Sequence, residues 1–259
     1  MFRAIRLQVT QHGRPNKSKV RAIDKSRGIG NKRPMPRSLA PCALAEIETW
    51  VFDLDNTLYP GACTLYPEVE QRMTDFIMRE LSLDREAAHA LRKRFFQAHG
   101  TTLRGLMNDF GIPPQPFLEY VHELDLTPLP RDGRLAAALA TVPGRKVIFT
   151  NATVRHAERV LAHLGMAESF SGIHDIVACN YVPKPDPSGY RVLLERHAIA
   201  PERSAMIEDM AKNLAPAAAL GMTTIWVKGG PHWTESDGEA QHIHHVVDDL
   251  TEFLLALKR

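Results

Sequence analysis

The chain has 259 residues, 44% hydrophobic and 24% charged, with a net charge of +2, the profile of a soluble globular protein long enough for one large α/β domain or a core with a smaller insert. No apolar run reaches the length needed to span a bilayer, which excludes a membrane-embedded transporter. Three cysteines, Cys42, Cys63 and Cys179, are widely spaced and odd in number; they make neither a disulfide framework nor a metal pattern and fit a reducing, cytoplasmic setting.

In chain order, residues 1–45 come first as a basic extension. Residues 1–40 hold eleven Lys/Arg against one acid, Asp24, a net of +10, while the remainder carries 21 basic against 29 acidic side chains, a net of −8. The segment lacks apolar periodicity, is punctuated by Gly13, Pro15, Gly28, Gly30, Pro34 and Pro36, and is expected to be disordered. Three accounts of it stand open: an arm for nucleic acid, an Arg-rich transit peptide, or a stretch ahead of a true start at Met35. Nothing after residue 45 requires it, which favours the third.

The first buried strand is expected over residues 48–54, breaking into polar chain at Asp53-Leu54-Asp55-Asn56-Thr57. Four helical patterns then follow without a strand, over 68–81, 84–99, 102–110 and 116–124, separated at Gly100, Gly111 and Pro113-Pro114. Beyond them strands and helices alternate. Lys146-Val147-Ile148-Phe149 ends in Thr150-Asn151, and Thr153 caps a helix with Ala157, Val160, Leu161 and Leu164 on one face and Gly165 at its end. Ile173–Val177 is a weaker strand, and Tyr190, Leu193 and Leu194 mark another helix. Ser204-Ala205-Met206-Ile207 ends in Glu208-Asp209. An alanine-rich helix to Leu220 comes next, with Pro216 demanding a bend or a first-turn position, and then the strand Thr223–Val227. This is the pattern of an α/β, doubly wound parallel sheet with a Rossmann-like core (46–61 and 129–259) and an inserted helical cap domain (62–128).

In an open α/β sheet, ligands bind outside the carboxyl ends of the strands. Parallel strands would gather Asp53, Asp55, Thr150, Asn151, Glu208 and Asp209 along one edge. Four carboxylates in one place repel unless a cation joins them, and a hard, oxygen-only donor set with few protein ligands suits Mg²⁺. Taken singly, each of these motifs has a bland reading as a helix cap or a solvated loop. His242, His244 and His245 could also suggest a metal cluster, but no further ligand stands at helical spacing from them. Phe95-Phe96 reads as core of the insert rather than as a base-stacking platform.

The ordered set resembles a known family. Asp53-Leu54-Asp55-Asn56-Thr57-Leu58 resembles the first motif of the haloacid dehalogenase-like hydrolases in their phosphatase form. Thr150-Asn151 is similar to the second, Lys184 within Val182-Pro183-Lys184-Pro185-Asp186-Pro187 to the third, and Glu208-Asp209 followed by Asn213 to the fourth. The resemblance implies that Asp53 attacks phosphorus and becomes an aspartyl-phosphate, and that Asp55 serves first as acid and then as base. Thr150, Asn151 and Lys184 would hold the phosphoryl group, with Lys184 also reaching Asp53. Mg²⁺ would be bound by Asp53, Asp209, the Asp55 backbone carbonyl and Glu208, the last either directly or through water. For the acid role, nearby negative charge and partial burial are expected to raise the Asp55 pKa.

A second aspartate at position 55 argues for alkoxide departure from phosphorus, since a halide leaving group needs no proton. The insert, with Tyr59-Pro60-Gly61 at its hinge side, would be a lid over a small phosphorylated metabolite. Trp50–Pro60 and Glu208–Leu214 are similar to the pyrimidine 5′-nucleotidase group, which implies a nucleoside monophosphate such as UMP or CMP and no nucleic-acid polymer. Sugar-phosphate hydrolysis and phosphomutase chemistry remain alternatives, as does a catalytically silent protein that senses a phosphometabolite.

Overall fold

The computed structural model describes residues 43–60, 65–228 and 241–257. Most of the basic extension, Gly61, Cys42 and Cys63 lie outside these residues. Six parallel strands form one sheet in the order β3-β2-β1-β4-β5-β6, made of β1 (Thr49–Phe52), β2 (Arg145–Phe149), β3 (Gly172–His174), β4 (Ser204–Glu208), β5 (Thr223–Val227) and β6 (His245–Val247). The order reverses at β1, whose neighbours are β2 and β4, so the crevice that such sheets offer to ligands opens at the carboxyl ends of β1 and β4.

Alternation along the strands explains the two helical layers. Trp50, Phe52, Ile148, Ile207 and Ile225 point to one face. There they pack with Leu135 and Leu139 of α5 (Gly133–Thr141), Val160 and Leu164 of α6 (Val154–Leu164), and Leu250 and Leu254 of α9 (Leu250–Ala256). Val51, Val147, Phe149, Met206 and Trp226 point to the other. They meet Tyr190 and Leu193 of α7 (Pro187–Arg196) and Leu214 and Ala217 of α8 (Ala211–Ala219). With both faces covered, the strands read as continuous apolar runs rather than as alternating ones.

Four helices lie between β1 and α5: α1 (Leu65–Leu81), α2 (Arg85–His99), α3 (Thr102–Phe110) and α4 (Pro114–Val121). They share a hydrophobic cluster of Phe76, Ile77, Leu91, Phe95, Leu106 and Phe117, into which Ile176 reaches from the loop after β3. Asp84 and Thr101 cap α2 and α3, and Gly100 and Gly111 end them in the left-handed region. Gly105 admits the Phe95 ring so closely that a Cβ there would lie 2.3 Å from it.

Three features depart from the sequence expectation. Pro216 stands inside α8 (Ala211–Ala219) rather than in its first turn. The weak strand over 173–177 ends at His174, because the chain turns at Asp175, which accepts N–H bonds from Val154 (3.0 Å) and Ala178 (2.9 Å). Helix α5 and the closing pair β6–α9 had no counterpart in the pattern. The three-residue strand His245–Val247 and the seven-residue helix after it are too short to show a period.

Candidate active site

The site begins where β1 runs out. The Asp53 N–H donates to the Ile207 carbonyl (2.9 Å), which extends the sheet by one residue and fixes Asp53 beside the end of β4. The chain then turns through Asn56 at φ 62°, a left-handed position that asparagine tolerates. This leaves the Asp53 side chain 10% exposed and that of Asp55 30% exposed.

Lys184 enters from the loop between β3 and α7. Its Nζ donates to Asp53 Oδ1 (2.7 Å), Glu208 Oε2 (2.6 Å) and the Phe149 carbonyl (3.0 Å), which uses all three ammonium protons. Its backbone N–H donates to Asn151 Oδ1 (2.9 Å), so the loop after β2 positions the lysine. Glu208 Oε1 accepts from Asn213 Nδ2 (3.1 Å) and from the Met210 N–H (3.4 Å). Both oxygens of Glu208 are therefore engaged, one as a brace for the lysine. Asp53 Oδ2, by contrast, takes no hydrogen bond from the described residues.

Asp209 completes the cluster. Ligand atoms of Asp53, Glu208 and Asp209 lie within 4.8 Å of one another, the one such group among the described residues. Asp209 is buried, and its Oδ2 has no hydrogen-bond partner among the described residues. Burial first, then the charge of Glu208, raise both Asp53 and Asp209 well above the usual carboxylate range, and Lys184 only partly offsets this. Attraction to Asp53 and Glu208 outweighs burial at Lys184 and raises its pKa, so the lysine stays charged. One buried cation against three carboxylates leaves negative charge uncompensated. An orphaned, buried carboxylate oxygen at the same point is what a divalent cation bound through oxygen would satisfy.

Thr150 Oγ1 accepts the Ala152 N–H (2.9 Å) and donates to no acceptor among the described residues, while the Thr150 N–H donates to the His174 carbonyl (3.0 Å). Thr150 and Asn151 thus stand at the end of β2, with Asn151 turned toward the Lys184 backbone. The sequence-predicted residues 53, 150, 151, 184, 208 and 209 converge on one edge of the sheet, and Asp55 stands at its rim.

Asp55 departs from the expectation of a raised pKa. Burial does push it up, but hydrogen bonds from His156 Nε2 (3.3 Å) and Tyr59 Oη (2.5 Å), with the charge of His156, outweigh burial and bring it down to about 2. The expectation placed Asp55 inside the carboxylate repulsion. The turn instead carries it outside the cluster to two donors.

His156 and its neighbour His122 were not anticipated. Their rings stack at 4.5 Å with 28° between planes, and burial followed by the nearby His156 pushes His122 down to about 3. A signal existed, for His156 stands four and eight residues before Val160 and Leu164 and so shares their buried face. Among the described residues, ring nitrogens of His242 and His244 are engaged with backbone groups. His242 Nε2 donates to the Ala211 carbonyl (2.9 Å) and His244 Nδ1 accepts the Thr224 N–H (3.0 Å). Phe95 is core of the insert, and the Phe96 ring lies 4.8 Å from Lys212 Nζ. No described helix is long and apolar enough to cross a membrane.

A doubly wound sheet with acidic residues and a lysine gathered at its switch point is the arrangement of a hydrolase built on a Rossmann-like core. The family model for haloacid dehalogenase-like hydrolases matches residues 47–221, and the chain belongs to that family. Phosphate metabolism protein 8 of Saccharomyces cerevisiae is 26% identical over 196 residues, which cover 68% of this chain and 60% of that protein, so the match spans less than two thirds of the yeast relative. Among solved structures, a phosphatase of this family from Thermococcus onnurineus superposes with a TM-score of 0.57 at 17% identity, covering 82% of this chain and 98% of that one. CbbY from Rhodobacter sphaeroides, solved with phosphate, gives 0.56 at 22% identity, covering 82% and 100%. L-2-haloacid dehalogenases share the fold as well, so these likenesses establish architecture rather than chemistry.

Proposed function

We propose that this chain is a Mg²⁺-dependent phosphomonoester hydrolase working through an aspartyl-phosphate on Asp53. The observation that carries the reading is the Lys184 ammonium held between Asp53 and Glu208, beside the unpartnered oxygen of Asp209. Asp53, Asp209 and the Asp55 backbone carbonyl would hold the ion, with Glu208 bracing Lys184 at its edge. When bound, Mg²⁺ supplies charge neutralisation for the three carboxylates and for an incoming phosphate.

The Asp53 oxygen that Lys184 leaves free attacks phosphorus, and the P–O bond to the leaving group breaks. Lys184, the unspent Thr150 hydroxyl and the Asn151 backbone N–H receive the equatorial oxygens as charge develops. Asp55 rests ionised. A dianionic phosphate arriving beside it raises its affinity for a proton, which it takes up from solvent and passes to the departing alkoxide. Ionised again, it takes a proton from water. That water attacks the acyl phosphate, inorganic phosphate leaves, Asp53 is restored, and Asp55 returns the proton to solvent.

The pyrimidine 5′-nucleotidase resemblance of Trp50–Pro60 and Glu208–Leu214 supports a nucleoside monophosphate as substrate, with residues 62–128 as a lid that excludes water during transfer. Hydrolysis of 4-nitrophenyl phosphate with Mg²⁺ tests the chemistry. Wild type should turn over, and Asp53→Asn should lose on the order of 10⁴-fold in kcat; an Asp53→Asn variant as active as wild type refutes the mechanism. A panel of UMP, CMP, purine nucleotides and sugar phosphates tests the substrate, and a preference for sugar phosphates removes the nucleotidase assignment. Isomer formation without free phosphate would mark a mutase.

A further inference from the structure

Asp55 is tethered through one oxygen only. Tyr59 Oη and His156 Nε2 both donate to Oδ1, and no described residue donates to Oδ2. Two donors on one oxygen fix the rotation of a carboxylate about its Cβ–Cγ bond and leave the other oxygen aimed elsewhere. Tyr59 follows Asp55 by four residues on the same turn, whereas His156 comes from α6, 101 residues away.

His156 is itself held at its backbone and at its ring. Its backbone N–H donates to Thr153 Oγ1 (3.2 Å) in the capped first turn of α6. Its ring lies against that of His122, the residue that ends α4. The His122 carbonyl accepts from Arg159 Nη1 (2.9 Å) and the Leu124 carbonyl from Arg159 Nη2 (2.8 Å), so the chain leaving α4 is bolted to α6 beside the stacked rings. A buried imidazole (His156) stacked on a half-buried one whose buried Nδ1 has no partner among the described residues (His122) is costly where an aliphatic pair would pack without penalty. Packing alone therefore does not account for them.

We propose that His156 is a positioning residue for Asp55, and that His122, carried on the helical insert, fixes the His156 ring so that Asp55 presents Oδ2 to the leaving-group oxygen only when insert and core are joined. The proposal rests on the phosphatase reading above and adds to it a link between the seating of the insert and proton transfer at the site.

Phenyl phosphate and 4-nitrophenyl phosphate test it, because they differ little in shape while the leaving oxygen of phenyl phosphate is much the more basic and depends on a proton donor. His156→Phe keeps the stack and removes the donor. Its kcat/KM for phenyl phosphate should fall about tenfold further than for 4-nitrophenyl phosphate. His156→Gln, which restores an N–H, should recover most of the difference, and His122→Ala should show a smaller loss with the same selectivity. An equal fall on both esters, or no fall, in the variants that fold by circular dichroism overturns the proposal. Should His156→Phe not fold, His122→Ala and His156→Gln decide by the same ratio. Wild type inert on both esters, or Asp53→Asn fully active, would instead refute the phosphatase reading.

Discussion

The two acidic residues of the first motif, two positions apart, live in opposite surroundings. Asp53 sits in a cluster made by strand ends, where Lys184 and the sheet backbone hold it beside Glu208 and Asp209. Asp55 sits at a seam, held by a tyrosine from its own turn and a histidine backed by the helical insert. The difference shows in the sign of their pKa shifts, upward for Asp53 and downward for Asp55. A centre built by sheet topology is rigid and carries charge that needs a cation. A centre built at a seam between two helical packings can be adjusted by moving one of them.

The largest effect should come from breaking the rigid centre. Lys184→Met leaves Asp53 and Glu208 buried without their cation and should cost about 3–5 kcal/mol in urea unfolding without metal. Adding Asp53→Asn and Glu208→Gln should return much of that loss, because the uncompensated charge goes with them. A Lys184→Met variant as stable as wild type would show that the cluster is not an electrostatic unit.

Next comes acid sensitivity at a buried histidine of β3. His174 is fully buried, neither ring nitrogen has a hydrogen-bond partner among the described residues, and its carbonyl receives the Thr150 N–H. Burial first, then the positive charges at His197 and Arg196, lower it from 6.5 to about 4, against a small opposing pull from Asp175. Since the unfolded chain binds the proton more readily, stability is present above pH 6.5 and is lost as pH falls toward 4, by up to about 3 kcal/mol. The carboxylates are common to wild type and His174→Leu, so the gap between their pH–stability curves isolates this residue. Parallel curves from pH 7 to 4 would contradict the assignment.

Metal should act with a comparable magnitude and opposite sign. Mg²⁺ at a hundred times its Kd should stabilise the chain by about 2.7 kcal/mol, reversed by EDTA. Asp209→Asn should abolish that gain while raising stability in EDTA, because it removes a buried carboxylate whose Oδ2 is unpaired. Equal melting temperatures with Mg²⁺ and EDTA would count against a cation at this cluster.

The rigid centre was the part legible in sequence. Each of its residues follows an apolar run, and parallel pairing brings such ends together whatever the loops do, so Asp53, Thr150, Asn151, Glu208 and Asp209 could be placed before any packing was known. Lys184 came only from the family pattern, since its loop carries no period. The seam was not legible, because His122 and His156 are 34 residues apart and meet only after α4 docks on α6. Their contact depends on tertiary packing that neither helix records. The same reason explains the mistaken direction at Asp55, where composition near the residue suggested repulsion and its partners lay elsewhere in the chain.

The smallest effect probes the seam from its least conspicuous member. Thr153 caps α6 by accepting the N–H of His156, so Thr153→Ala should cost about 1 kcal/mol in stability. At a cap remote from any site, the loss would end there. Here the freed turn carries the ring that holds Asp55, and loosening it should lower kcat/KM for phenyl phosphate a little more than for 4-nitrophenyl phosphate, about twofold to threefold. Thr153→Ser, which keeps the capping oxygen, should behave as wild type in both measurements. Were Thr153→Ala to lose stability with the two esters still in their wild-type ratio, α6 would not transmit its first-turn geometry to Asp55, and the seam would be packing without consequence for proton transfer.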